Sequence, residues 1–269
     1  MNMSSLVERI NACIDCEPSP SDLIKGVRVA VTDAITNEHF IDQVVERVIN
    51  NAQRSIDEGA GYQPLYIDDS RHWRMLMFLW EPMSSNEPHQ HNTWSVSGVM
   101  YNCLEVSLYA RDEDSGALQL DRRFVAQSGE TGYLVPPCIH SLGNPHATVP
   151  TVTLHVFNDS EIVEQRGLDT LWLGDHDPRL IDHDPRACAR RELKAALLLL
   201  KSRPAPSSLG LVQRIFDIGD VSVRLEAYKQ LVRINAKLAL NYGDRLAEML
   251  TGADQNRFLK LHQRIHDTL

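Results

Sequence analysis

The stretch Glu87-Pro-His-Gln-His-Asn-Thr-Trp94, EPHQHNTW, is answered 49 residues after His91 by His140 in the stretch PPCIHSLGN. Side chains alternate from face to face along a strand, so His89 and His91 project from the same side of an extended segment. A third imidazole from a neighbouring strand completes a three-nitrogen cap on a metal ion. Such a cap leaves coordination positions open, which distinguishes a reactive centre from a closed structural one. His89, His91 and His140 are therefore the expected metal ligands.

The segments around these histidines have a β texture. From Tyr62 to about Asn158 the chain consists of short runs such as RMLMFLWEP, TWSVSGVMYN, LEVSLYAR and VTLHVFN, separated by clusters of Gly, Pro, Asn and Asp. Many short strands at that spacing indicate an antiparallel sandwich or barrel. On either side the period changes to that of a helix. Leu6, Ile10 and Ile14, then Phe40, Ile41, Val44, Val45 and Val48, mark a helical N-terminal segment over 1–61. The metal-binding domain is expected over 62–168. A turn-rich connector and a helical extension follow over 169–269. Within the connector DHDPR occurs twice, and in its second copy Asp184 is placed to cap a helix whose first residue is Pro185. A second metal site at His176 and His183 is the weaker interpretation, since the aspartates already serve as caps.

Composition narrows the class of protein. The 269 residues carry a formal net charge of −9, which argues against a nucleic-acid surface, because phosphate binding needs clustered Lys and Arg. The longest apolar run, Ala195 to Leu200, is far short of the roughly 18 to 20 residues that span a bilayer. The N-terminal stretch lacks a basic segment followed by an apolar one, so a cytoplasmic location is expected. Five cysteines, Cys13, Cys16, Cys103, Cys138 and Cys188, show no disulfide spacing and are expected as reduced thiols. The apolar faces of the C-terminal helices are suited to cover the barrel, bind a partner helix or form a homodimer.

EPHQHNTWSVSGVMYN and GYLVPPCIHSLGNPHATVPTVTLHVFN resemble the two cupin motifs in the form found in thiol dioxygenases, iron enzymes such as cysteine dioxygenase and bacterial 3-mercaptopropionate dioxygenase. The resemblance covers about Tyr62 to Arg166. It implies a mainly β fold with helical flanks, a cupin double-stranded β-helix, or jelly-roll, barrel. It also implies Fe(II) as cofactor and a small thiol and O2 as substrates. Ordinary cupins carry a glutamate shortly after the second histidine, where this chain has Ser95 or Val96. That absence is itself a thiol-dioxygenase trait, and it gives three histidines without a carboxylate.

Thr153, His155 and Phe157 stand where the family carries a Ser-His-Tyr relay, which makes His155 and Thr153 the expected catalytic pair and removes the phenol at Phe157. Asp68, two residues after Tyr66, occupies the place of the arginine that anchors a carboxylate in the cysteine enzymes, so this pair is expected to bind substrate, with Asp68 receiving an ammonium group such as that of an aminothiol. Arg166, 26 residues beyond His140, matches by spacing the corresponding arginine of the mercaptopropionate enzymes. Arg71 and Arg74 are reserves for the same role. Trp94 and Trp80 flank the motif as candidate pocket walls. The leading expectation is oxidation of a small thiol to a sulfinate. One alternative is a three-His iron oxygenase of a specialised pathway acting on a different or larger substrate; the other is a non-catalytic ligand or metal sensor.

Overall fold

The computed structural model describes residues 1–16, 19–112, 114–158, 170–172, 184–202 and 205–268. Three helices come first: α1 (Met3–Asp15), α2 (Pro20–Ile35) and α3 (Glu38–Glu58). Ten strands follow: β1 (Tyr66–Asp68), β2 (Trp73–Trp80), β3 (His89–His91), β4 (Ser95–Tyr101), β5 (Cys103–Arg111), β6 (Leu118–Gln127), β7 (Thr131–Leu134), β8 (Ile139–Gly143), β9 (Thr151–Asn158) and β10 (Thr170–Trp172). Five helices close the chain: α4 (Pro185–Lys201), α5 (Ala205–Ile218), α6 (Val221–Ile234), α7 (Ala236–Ala247) and α8 (Gly252–Asp267).

The chain forms two compact units, one of residues 1–44 with 63–183 and one of residues 45–62 with 184–269. The expected N-terminal helical segment is thus divided within α3. Its first two helices and the start of the third belong with the strands, whereas Val45, Val48, Ile49 and Ala52, all buried, belong with the C-terminal helices.

In the first unit the strands form two five-stranded sheets, ordered β1-β2-β9-β4-β7 and β10-β3-β8-β5-β6. Every pairing is antiparallel. The chain passes repeatedly from one sheet to the other between β2 and β9, so that β2-β9-β4-β7 faces β3-β8-β5-β6. This is the double-sheet order of a jelly roll, and β1 and β10 extend one edge of each sheet.

Burial explains why β2 lacks polar alternation in sequence. Arg74, Leu76, Phe78 and Trp80 share the inward face of β2, paired with Phe157, His155, Thr153 and Thr151 of β9. Trp73, Met75 and Met77 face the other way, with Val152, Leu154 and Val156, and all six are buried. Helices cover that second face, as in any sheet enclosed on both sides. The Trp73 indole donates to Asn11 of α1 at 2.9 Å. α2 packs against β4 at Gly98, where a Cβ would fall 2.8 Å from Cδ1 of Ile35.

In the second unit α4 starts as expected, with Asp184 accepting from the Arg186 amide at 3.0 Å and Pro185 at its first position. Among the described residues, no helix is long and apolar enough to cross a membrane. The proposed His176 and His183 site lies outside the described residues.

Candidate metal centre

Strand register assembles the site. Pro88 ends the preceding loop, and β3 then carries His89 and His91 on one face, their ring centroids 4.9 Å apart. β8 pairs with β3 through His89 and His140. The His140 centroid lies 4.2 Å from that of His89 and 5.1 Å from that of His91. One ligand-capable atom from each ring lies within 4.8 Å of the other two, and among the described residues this is the only such group of His, Cys, Asp or Glu side chains. It contains no carboxylate. Val96 is fully buried on the helix-facing side of β4, paired with Val156, so a carboxylate there would point out of the barrel.

The hydrogen bonds of the trio fit a metal. Nδ1 of His89 donates to the Glu87 carbonyl at 2.9 Å, and Nδ1 of His140 donates to the Cys138 carbonyl at 3.1 Å. A neutral imidazole whose Nδ1 carries the proton presents a lone pair at Nε2, the form a metal requires. Nε2 of His140 is buried and has no hydrogen-bond partner. A buried polar nitrogen left in this state costs free energy, and an ion between the three rings would satisfy it. Electrostatics keep the rings neutral. Burial, then the neighbouring imidazoles and Arg74, lowers His91 to about 3. Burial and His89 bring His140 to about 3 against the opposing Cys138 carbonyl, and burial also lowers His89.

Beside the trio, β9 presents Thr153, His155 and Phe157 on the inward face. The Phe157 ring lies 5.3 Å from His91 and stacks on His155 at 5.7 Å. The Arg74 guanidinium is 5.9 Å from the centre of the same phenyl ring. Burial holds His155 at about 3, so it too is a neutral imidazole. Its Nε2 lies 2.8 Å from the Thr153 hydroxyl and its Nδ1 lies 2.7 Å from the Ser97 hydroxyl. The Trp80 indole donates to that same Thr153 oxygen at 2.9 Å.

Donor counting sets a direction through this network. An indole N–H can only donate, so the proton of the fully buried Thr153 hydroxyl goes to Nε2 of His155. Nδ1 of His155 is then the protonated nitrogen and donates to Ser97. The hydroxyl proton of Ser97 is left to be given elsewhere.

Not every expected residue reaches the site. Tyr66 pairs with Met75 and Asp68 with Trp73, on the helix-facing side of β2. Tyr66 packs on the Trp73 ring at 4.9 Å. Asp68 accepts from the Ser70 hydroxyl at 2.6 Å and from the Arg71 amide at 2.9 Å. Burial alone would raise its carboxyl, but these bonds and the Arg71 charge hold it below the usual range. Neither residue is brought to the trio. Trp94 is half-buried where the chain enters β4, and its carbonyl accepts from the Asn158 amide. Arg166 lies outside the described residues. Ser97 was not anticipated from the sequence, although in TWSVSGVMYN Ser95 and Ser97 alternate with Val96, a two-residue period that places both hydroxyls inside.

Strand order and the position of the trio together settle the architecture. The barrel is a cupin-type jelly roll with helical flanks. No protein-family model matches the chain, and no curated protein matches it either. Among solved structures it is similar to an oxalate oxidase, at 20% identity over 38% of this chain and 46% of that one, with a TM-score of 0.29. It is also similar to oxalate decarboxylase of Bacillus subtilis, a protein with Mn(II) centres, at 23% identity over 39% of this chain and 24% of that one, with a TM-score of 0.30. A third similarity is to a DMSP lyase, at 16% identity over 38% and 44%, with a TM-score of 0.28. The chain spans less than half the length of each.

Proposed function

We propose that the protein is a non-haem Fe(II) dioxygenase that oxidises the sulfur of a small thiol to a sulfinate. The observation that carries this is a buried three-imidazole cluster without a carboxylate, in which the Nε2 atom of His140 has no partner within the protein. Three neutral nitrogen ligands leave the double charge of a bound ferrous ion uncompensated, so the ion would attract a substrate thiolate and supply the redox chemistry with O2.

The chain's own residues have simpler tasks. His89, His91 and His140 would hold the ion, with Nδ1 of His89 and of His140 fixed by backbone carbonyls. Phe157 packs edge-on against the His91 ring at 5.3 Å and occupies the space beside it. Thr153 and Trp80 lock His155 in one tautomer, so that it donates toward Ser97 rather than toward position 157. In the overall reaction the S–H bond and the O–O bond break. Both oxygen atoms finish on sulfur, which is oxidised as O2 is reduced, and the proton remains with the sulfinic acid. Arg166 is proposed to bind a substrate carboxylate, a role it takes by spacing.

The engagement of Asp68 with Ser70 and Arg71, and the phenyl ring at position 157, favour a second form of this proposal, in which the substrate is larger than cysteine. The test is anaerobic purification, metal analysis per chain, and O2 uptake with cysteine, cysteamine and 3-mercaptopropionate, followed by identification of the sulfinate. Full iron loading with no uptake on any thiol would overturn thiol oxidation. Manganese retained in preference to iron would overturn the choice of metal.

A further inference from the structure

The inside of the barrel is chemically divided. The trio, His155 and Thr153 occupy one part. The other part is a largely apolar cavity of about 450 Å³, lined by Val99, Leu104, Val106, Phe124 and Leu142, with the hydroxyls of Ser97, Thr32 and Thr131 as polar points in its wall. Val99, Leu104, Val106 and Leu142 are all buried, and Trp80 packs against the same cluster. At the rim Arg28 lies over the Tyr133 ring at 6.0 Å, while the Glu130 carboxylate caps the Gln127 amide at 2.7 Å. A space of this size, lined mainly by apolar side chains with a few polar groups, has the make-up of a small-molecule site.

Two features connect it to the metal centre. Leu142 follows His140 by two residues on the same face of β8, a step of about 7 Å along a strand. Ser97 receives the Nδ1 proton of His155, and its own hydroxyl proton is the end of the chain of donors that begins at the Trp80 indole. Thr32 and Thr131, the other hydroxyls of the lining, pair with each other at 2.6 Å, which leaves the Ser97 proton to an acceptor atom on a ligand.

We propose that this cavity is a subsite for the body of the substrate, an apolar group of on the order of ten heavy atoms beside an oxygen that accepts the Ser97 hydrogen bond. That its occupant is the molecule oxidised at the trio rests on the reading of the trio as the reacting centre. Occupancy of the cavity by itself does not.

The test uses the purified full-length chain and two acids that share an acceptor and differ in their apolar body, phenylpropionate and propionate, titrated by calorimetry. Phenylpropionate is expected to bind at least about tenfold more tightly. Val106→Phe, which fills the cavity, should remove that advantage, leave propionate unchanged and leave metal content unchanged. Ala126→Leu on β6, at the edge of the same cavity, serves the same purpose if the first variant folds poorly. Ser97→Ala should weaken phenylpropionate and Ser97→Thr should restore it. Equal affinities for the two acids, or a filled cavity that binds phenylpropionate as before, would overturn the subsite. Tight binding of phenylpropionate that Val106→Phe abolishes, in a protein that oxidises no thiol, would retire the thiol chemistry and leave the subsite standing. If thiols are oxidised, Val106→Phe should raise KM for an aryl-substituted thiol and not for cysteamine.

Discussion

Two buried histidine clusters, one in the barrel and one among the C-terminal helices, are built to opposite rules. His262 of α8 is nearly buried, and both of its nitrogens are engaged by protein: Nδ1 lies 2.9 Å from the Tyr228 hydroxyl and Nε2 lies 3.1 Å from Asp244. Its ring stacks on Phe258 at 5.8 Å and sits so close to Gly243 that a Cβ there would come within 2.2 Å of it. Burial, with the Asp244 charge, pushes the Tyr228 phenol up to about 12, so Tyr228 is a donor throughout the ordinary pH range. Both ring nitrogens of His262 and the Tyr228 phenol have partners, and their work is to hold α6, α7 and α8 together. The barrel trio has two carbonyl acceptors for its Nδ1 protons and a buried Nε2 on His140 with none. Burial alone therefore does not separate a structural histidine from a ligand; the accounting of its two nitrogens does. His155 belongs with the satisfied class, since both of its nitrogens meet hydroxyls of the protein.

The contrast breaks most visibly at His140. His140→Ala should lower metal retention by about tenfold to a hundredfold after gel filtration, because two imidazoles hold a ferrous ion weakly. His262→Ala should not change metal content at all. Equal metal in wild type and His140→Ala would place the third ligand elsewhere. The reverse is expected for stability. His262→Ala strips the partner from a fully buried phenol and opens a void, a loss of about 3 kcal/mol in thermal or denaturant unfolding. Gly243→Ala should cost about 1–3 kcal/mol through the ring it displaces.

Acid sharpens the comparison. His91, His140 and His155 titrate near 3 in the folded chain, below the ordinary histidine value of 6.5. The unfolded chain therefore binds more protons between these limits. Their contribution to stability is complete above about pH 6.5 and declines as pH falls toward 3. A metal-free sample should lose stability across that window, and bound metal, competing with protons for the same lone pairs, should move the loss to lower pH. Coincident curves with and without metal would contradict ligation by these rings. The smallest effects are expected on β1. Asp68→Asn should cost about 1 kcal/mol from the turn it closes, and Tyr66→Phe should stay within about 0.5 kcal/mol, with metal content and turnover unchanged in both. A raised KM for an aminothiol in Asp68→Asn would show that Asp68 meets substrate after all.

Much of the site was legible in the sequence, and for local reasons. His-X-His on a strand puts two rings on one face whatever the fold. The polar-apolar alternation Thr153, His155 and Phe157 against Val152, Leu154 and Val156 likewise announces an inner and an outer side. Asp184 before Pro185 marks a helix start through contacts within three residues. The places of Tyr66 and Asp68 were not legible, because spacing from a motif does not tell which face a short edge strand turns inward. That depends on pairing with β2, where Tyr66 meets Met75 and Asp68 meets Trp73.

The sequence by itself therefore determined the pairing of His89 and His91 on one strand face, the β character of the barrel segment and the helical flanks, each of which follows from the period of a single segment. Only the tertiary structure decided that the Ser97 hydroxyl meets His155 and that the Trp80 indole meets Thr153, contacts between residues 58 and 73 apart along the chain. It also decided that Val96 points out of the barrel and that Ser97 and Leu142 line a largely apolar cavity inside it. Cross-strand register and the facing of two sheets fix these, and they depend on contacts between distant segments that no local pattern encodes.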